Sequence, residues 1–361
     1  MSRLDNLRSK MSAENIDLVA IAPGAHLQWL TGLHPHADER PLLYVITHEN
    51  DAFLMPALEA DSLRQHTNAT FYEWADDQGP HAAFDDLLKA VGAESVGKIA
   101  LDECMRADHA GLVQDRLASA TRVFTETSVG ALRMVKDADE YTVLKRNART
   151  ADVAMQAAWA AMRPGMTETD VARVIQESFK GQGVNPLFSI VGTGGNGAFP
   201  HHHTGETTLK VGDAVVMDLG GGMDGYSSDI TRMAIMSSPP EGYSEVHTVV
   251  EAAVQAALKA ARPGVKAHVV DDAARNVITE AGYGEYFMHR TGHGMGVEIH
   301  EMPYITATAQ TVLEEGMVFS IEPGIYLPGQ FGLRLEDIVI LRADGPEVLS
   351  DLPRDFQTID G

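Results

Sequence analysis

The second part of this chain repeats itself, and that constrains its fold more than any other feature. The string AAWAAMRPGMTETDVARVI (157–175) is echoed by AALKAARPGVKAHVVDDAARNVI (256–278), with the Arg-Pro-Gly elements 99 residues apart. Further on, KVGDAVVMDLGG (210–221) resembles EEGMVFSIEPGI (314–325). In both, a glycine precedes an acid by six positions: Gly212 to Asp218, and Gly316 to Glu322. Two matched blocks in the same order indicate a duplication. Each repeat reads as helices followed by strands, so two similar α+β units are expected to pack about a pseudo-two-fold axis. The run 138–162 is helical and rich in alanine, and it ends at Arg163-Pro164-Gly165, where proline and glycine stop it.

The part before the duplication reads differently. Residues 1–130 are expected to form a separate α/β domain, with residues 131–361 as a second one; 361 residues are enough for two cores. Apolar strand-like runs lie at 16–24, 41–50, 51–58, 98–103 and 122–127, and helical patterns at 82–91 and 106–120. No glycine-rich phosphate loop is present. His26, His34 and His36 show no close metal-ligand repeat and are expected at surface or interface positions. LQWLTGLHPH is the segment to watch if this domain reaches an active site.

Five candidate metal ligands fall within the duplicated part: Asp218, Asp229, His293, Glu322 and Glu336. A hairpin turn at Met223-Asp224 would pair residues whose numbers sum to 447, setting Asp218 opposite Asp229 with Cβ atoms about 5 Å apart. A bulge would shift that register. Glu322 and Glu336 lie around Gly329 at an even separation, which puts both on one face of a second hairpin. Each half therefore supplies a pair of acids, and the pseudo-two-fold axis brings the pairs together. Four carboxylates that close cannot stay ionised without cations between them. Salt-bridged sheet acids would need basic partners, and only Arg232 and Arg334 are near in sequence. His293 sits in Thr-Gly-His-Gly-Met-Gly, where glycines remove bulk and let an imidazole approach an ion. One imidazole and four carboxylates suit two divalent cations. Mn²⁺ is favoured by the hard oxygen ligands, with Co²⁺, Fe²⁺ and Zn²⁺ as alternatives.

These motifs, DLG…SDITR, TGHGMG…HE, SIEPG and RLED in this order, resemble the metallopeptidase family of methionine aminopeptidase, aminopeptidase P and prolidase. That family shares the pita-bread fold with creatinase. The resemblance covers about residue 135 to the end, and more loosely a creatinase-like N-terminal domain that includes LQWLTG. The prolidase and aminopeptidase P branch looks nearest, because it carries such an extra domain. The resemblance implies that the five ligands bind two metals, with Asp229 and Glu336 touching both. It also implies roles for His201 in FPHHHTGE, for His300 in VEIHE and for Arg334. A metal-bridging hydroxide would attack the scissile carbonyl while Glu322 takes and passes on a proton. His201 and His300 would stabilise the oxyanion or shuttle a proton. Arg334 would orient the acids or meet a substrate carboxylate. His202 and His203 have no counterpart and need only half-exposed loop roles, while His289 either lines the pocket or makes a structural hydrogen bond.

The substrate so implied is a small Xaa-Pro peptide, cut before proline by a dipeptidase or an aminopeptidase acting as a homodimer. Hydrolysis or lyase chemistry on a small non-peptide substrate is the alternative on the same scaffold. A non-catalytic interaction protein is disfavoured because all five ligand types stand. With 28 basic against 51 acidic residues the net charge is −23, which repels phosphate backbones and anionic lipid, so neither nucleic acid nor membrane is an expected partner. A salty habitat would also account for that charge. Cys104 is the only cysteine, so no internal disulfide is possible. With no signal-peptide pattern and no apolar run of spanning length, a cytoplasmic location is expected.

Overall fold

The computed structural model describes residues 2–360, which divide into two compact units, one up to Arg133 and one from Met134. The first is a six-stranded mixed sheet in the spatial order Phe71–Trp74, Asp51–Pro56, Leu43–Thr47, Leu18–Ile21, Lys98–Leu101 and Thr121–Phe124. Its core packs Leu18, Val45, Leu54 and Ile99 against Phe84, Leu87 and Val113 from the helices His81–Ala90 and Ala107–Arg116. The apolar runs expected as strands all lie in this sheet. The run at 51–58 breaks after Pro56, where a helix, Ala57–Leu63, begins. The edge strand Phe71–Trp74 escaped the sequence reading because it is only 4 residues long and shows no apolar alternation.

His26, expected at a surface or interface position, is inside the first unit. It is buried, with Arg133 Nη1 3.0 Å from Nδ1 and Glu103 Oε1 3.2 Å from Nε2. A guanidinium can only donate, so Nδ1 accepts and Nε2 carries the proton toward Glu103 and Thr125. His26, Asp102 and Glu103 lie close enough to suggest a cation site, but both imidazole nitrogens are already engaged. His34 and His36 are exposed.

The second unit contains the duplication. Its first half runs Ala138–Ala161, Glu168–Gly181, then the strands Asn185–Thr193, Ala214–Met223 and Ile230–Met236. The second half runs Tyr243–Ala260, Ala267–Glu280, then Gly292–Gly294, Val318–Ile321 and Asp337–Arg342. The matched glycines share backbone conformations, with φ of 90° at both Gly165 and Gly264, 91° at Gly212 and 87° at Gly316. The same hydrogen bond recurs as well: Gly165 N donates to Leu209 O at 2.9 Å, and Gly264 N to Leu313 O at 2.8 Å. The helices begin where the chain supplies caps. Asp137 with Glu140, and Thr167 with Asp170, form reciprocal capping boxes.

The first hairpin corrects the expected register. Met223 pairs with Tyr226, so the turn residues are Asp224 and Gly225, with φ of 52° and 78°. Asp-Gly is the pair that a tight hairpin turn with two positive φ values prefers, and that preference displaces the pairing by two. Asp218 therefore faces Thr231, and Asp229 lies two positions away. Because the displacement is even, both acids keep the same face. In the second hairpin Ile321 pairs with Asp337 and Gly324 with Arg334, so Glu322 and Glu336 stand opposite each other between the two ladders.

One buried cation joins the halves. Arg232, fully inaccessible, donates to Asp337 Oδ1 at 2.6 Å and to the carbonyls of Glu336, Leu352 and Pro353 at 2.5–2.9 Å. Arg232→Ala leaves those acceptors buried and is expected to lower stability by about 3–5 kcal/mol. Urea unfolding of the metal-free chain reads this as a fall in midpoint. No helix among the described residues is long and apolar enough to cross a membrane.

Candidate metal centre

The convergence of the two hairpins creates a cavity of about 570 Å³. Every residue singled out as a candidate lines it: Asp218, Asp229, His293, Glu322 and Glu336, with His201, His300 and Arg334. Phe188, Ile190, Pro200 and Ile299 add apolar wall, and His289 and Arg290 complete the lining.

His293 is the middle residue of its short strand. A Cβ on Gly292 would come within 1.9 Å of Ser320 O, and one on Gly294 within 2.1 Å of Met302 O. Neighbouring strands approach too closely for any side chain there, which explains the glycines and holds the histidine backbone rigid. Its amide donates to Ser320 Oγ at 2.9 Å. Its Nδ1 lies 3.2 Å from Gly294 O, a carbonyl that can only accept, so the proton sits on Nδ1. Nε2 then points at the acids, 3.2 Å from Glu322 Oε1 and 3.8 Å from Asp229 Oδ2. Lone-pair atoms this close repel unless a proton or a cation lies between them.

The carboxylates tell the same story. Ligand atoms of Asp229, His293 and Glu336 lie within 4.8 Å of one another. Burial, reinforced by the charges of Glu336 and Asp218, pushes Asp229 well above the ordinary carboxylate range. Glu336 is raised likewise by burial and by the charges of Glu322 and Asp218. Burial acts on Glu322 in the same sense, but with both imidazoles in their cationic forms, hydrogen bonding and charge from His293, with charge from His289 and Arg334, outweigh it and hold this acid at about 2. Two like charges about 4 Å apart repel by on the order of 4 kcal/mol at an effective dielectric constant of 20. A divalent cation reverses the sign of each such term. Oδ1 of Asp218 and Oδ1 of Asp229 are both buried without a hydrogen-bond partner, a costly state for an anion that coordination would relieve. The donor set therefore fits divalent cations.

Supporting residues occur two positions from the candidate ligands, on the same strand faces. Thr231 follows Asp229 by two, Ser320 precedes Glu322 by two, and Arg334 precedes Glu336 by two. Ser320 Oγ donates to Glu322 Oε1 at 3.0 Å. Thr231 Oγ1 donates to Glu336 Oε2 at 2.6 Å and accepts from Arg334 Nε at 3.1 Å. Glu336 N also donates to Thr231 O at 3.3 Å, so this threonine ties the hairpins together. Thr231 and Ser320 are not among the candidates drawn from the sequence, although strand alternation from the neighbouring acids points to both.

Arg334 is 3% exposed and its donors are engaged: Nη2 with Asp218 Oδ2 at 2.6 Å, and Nη1 with Tyr326 OH at 2.8 Å and Pro200 O at 3.4 Å. Of the two arginines considered as partners for the acids, it alone meets one, and Arg232 turns to Asp337 instead. His289 both lines the cavity and is hydrogen-bonded. Its Nδ1 lies 2.7 Å from Arg290 O and its Nε2 2.8 Å from Tyr326 OH. Burial pushes it down to about 4, so it is neutral at pH 7 and accepts from the tyrosine. Arg290 lies 4.8 Å over the Tyr304 ring and pairs with no carboxylate among the described residues. His201 and His300 occupy exposed positions on the cavity wall, and the His300 ring stands edge-on to His293 at 4.2 Å. His203 is exposed, whereas His202 is not merely a loop residue: its Nε2 lies 2.8 Å from the buried Glu168.

Thr231→Val keeps the side-chain volume and removes both hydroxyl bonds. It is expected to weaken metal binding about 10–100-fold, the effect typical of residues that hold ligands. Calorimetric titration of the metal-free variant with Mn²⁺ measures it.

Comparison with known proteins places the whole chain. Residues 142–343 match the model of metallopeptidase family M24, and residues 3–135 that of the creatinase/prolidase N-terminal domain. A probable dipeptidase PepE of Mycobacterium tuberculosis is 38% identical over 345 residues, spanning 94% of this chain and 91% of its own. An Xaa-Pro dipeptidase of Pyrococcus horikoshii is 32% identical, with 96% of each chain covered. The crystal structure of a prolidase from Thermococcus sibiricus matches with a TM-score of 0.91 at 32% identity, covering 99% of this chain and 98% of that one.

Proposed function

This chain belongs to metallopeptidase family M24, and from that premise we propose that it hydrolyses the peptide bond before proline in small peptides, with two divalent cations held by Asp218, Asp229, His293, Glu322 and Glu336. The observation that carries the reading is the convergence of four carboxylates and one imidazole in a single cavity, two of the acids with an orphaned buried oxygen. The α+β pita-bread fold and the creatinase-like first domain are those of the prolidase relatives. Four of the five ligands are hard oxygen donors, which supports Mn²⁺ over softer choices.

Two cations bound here would acidify a water and polarise the scissile carbonyl. The remaining work belongs to the protein. Glu322, fixed by Ser320 Oγ, accepts the proton of the attacking water and returns it to the departing proline nitrogen. His201 and His300 reach the cavity from its exposed wall and donate to the developing oxyanion. Partial burial and the neighbouring His293 and Arg290 push His300 down to about 4, so it serves as a neutral donor. Arg334 orients Asp218, since its donors are occupied within the protein, which leaves Arg290 as the cation available to a substrate carboxylate. The walls formed by Phe188, Ile190 and Ile299 suit a proline ring, whose tertiary amide offers no N–H to bind.

A panel of Xaa-Pro dipeptides, longer Xaa-Pro peptides and cyclic amidines, assayed after chelation and after Mn²⁺ return, tests this reading. Turnover of at least one peptide class is expected, lost on chelation and restored by the metal. Asp229→Ala and His293→Ala should lose bound metal and turnover together. Full peptide turnover by either metal-depleted variant, or turnover of the amidines alone, would overturn the assignment.

A further inference from the structure

Glu168 is the first residue of the helix Glu168–Gly181, and its side chain is wholly inaccessible. A buried acid needs partners. Here all of them come from one segment of chain. Oε1 accepts from Thr193 N and Asn196 Nδ2, each at 2.9 Å, and Oε2 accepts from His202 Nε2 at 2.8 Å and Gly205 N at 3.0 Å. The backbone adds Glu168 N to Thr207 O and Thr169 N to Gly205 O, both at 3.0 Å. Residues 193–207 hold little regular structure beyond the short turn Gly194–Ala198, so one carboxylate organises the segment.

His201 lies inside it. The imidazole makes no hydrogen bond among the described residues, so its position is set by its neighbours. On one side Pro200 O accepts from Arg334 Nη1 at 3.4 Å, and on the other His202 meets Glu168. The cavity histidine is thus bracketed between the arginine that holds Asp218 and a buried acid that is not itself a candidate metal ligand. The second half of the duplication is built in a similar way. On the matching helix Ala267–Glu280, the fully buried Asp271 accepts from Thr291 N at 3.0 Å and pairs with Arg275. Arg275 in turn donates to Phe287 O at 3.0 Å and His289 O at 2.8 Å, holding the approach to His289 and His293.

We propose that Glu168 is a positioning residue for the reaction: by gripping residues 193–205 it sets the His201 imidazole where it donates to the reacting carbonyl. This rests on the peptidase reading and the role given there to His201. Its chemistry is that of a fixed anchor, since a carboxylate accepts all four donors, whereas a carboxamide would set its own NH2 group against one of the two donor pairs.

The test is a double-mutant cycle on the Mn²⁺-loaded enzyme, combining Glu168→Gln with His201→Ala and assaying an Xaa-Pro dipeptide. Glu168→Gln alone is expected to lower kcat about 10–100-fold, the cost of a misplaced group, with KM and bound metal unchanged. In the His201→Ala background the same change should lower kcat by less than about twofold, because the group it positions is gone. Equal losses in both backgrounds, or an unchanged kcat, would overturn the proposal. Amide exchange over residues 193–207 is read without substrate and should quicken in Glu168→Gln; unaltered exchange would overturn it even if the wild type cleaved no peptide. Absence of wild-type turnover alone would count against the peptidase reading instead. Should Glu168→Gln fail to fold, His202→Ala removes one of the four ties and should give the same pattern with smaller amplitude.

Discussion

Four carboxylates drawn from two halves of the chain repel one another across a single cavity, and much of the surrounding structure answers that repulsion. Among the described residues, only Asp218 of the four pairs with an arginine, and Arg334 directs its other donors to Thr231, Tyr326 and Pro200. Asp229 and Glu336 are held where burial drives them toward the neutral form. An apolar core gains nothing from such an arrangement. It becomes favourable when cations supply the missing charge, so metal affinity and the stability of this region are linked quantities. Arg232 keeps the two halves joined from beneath without neutralising any of the four acids, because its own charge is taken by Asp337.

The duplication explains how so many acids reach one place. An α+β unit with a hairpin can present two carboxylates on one face, and a second copy related by a pseudo-two-fold axis can present two more opposite them. The shared φ values at Gly165 and Gly264, and at Gly212 and Gly316, show that both copies turn their chains alike before the acid-bearing strands. Differences between the halves carry the chemistry. Only the second copy has a histidine flanked by glycines in its short strand, and only the first has the His201 loop.

Much of this was legible in the sequence, for a physical reason. Strand alternation has a period of two, so an even spacing fixes the face even when the exact partner is wrong. The pairing of Asp218 with Asp229 failed because the turn was centred on Met223-Asp224 and not on Asp224-Gly225, yet the shared face survived a displacement of two. Alternation could also have found Thr231 and Ser320. What stayed hidden depends on contacts distant along the chain. Glu168 meets donors 25–37 residues away, and His26 meets Glu103 and Arg133 across 77 and 107 residues. No local pattern reports such a partner, and a histidine without a neighbouring ligand motif reads as a surface residue until the sheet closes around it.

Burial also separates the histidines by task. His293, 3% exposed and clamped between glycines that admit no side chain, has one nitrogen committed to a carbonyl and the other aimed at the acids. The ligand role proposed for His293 benefits from that rigidity, because a preformed lone-pair direction lowers the entropic cost of binding an ion. His201 and His300 sit at exposed positions on the same cavity. In the role proposed for them, meeting a substrate oxygen, they have to remain reachable and cannot be locked by the same strand contacts. Their geometry then has to be controlled from the backbone on either side. Pro200 and His202 flank His201 in that way, one tied to Arg334 and the other to Glu168, so an accessible imidazole is placed by two inaccessible charges.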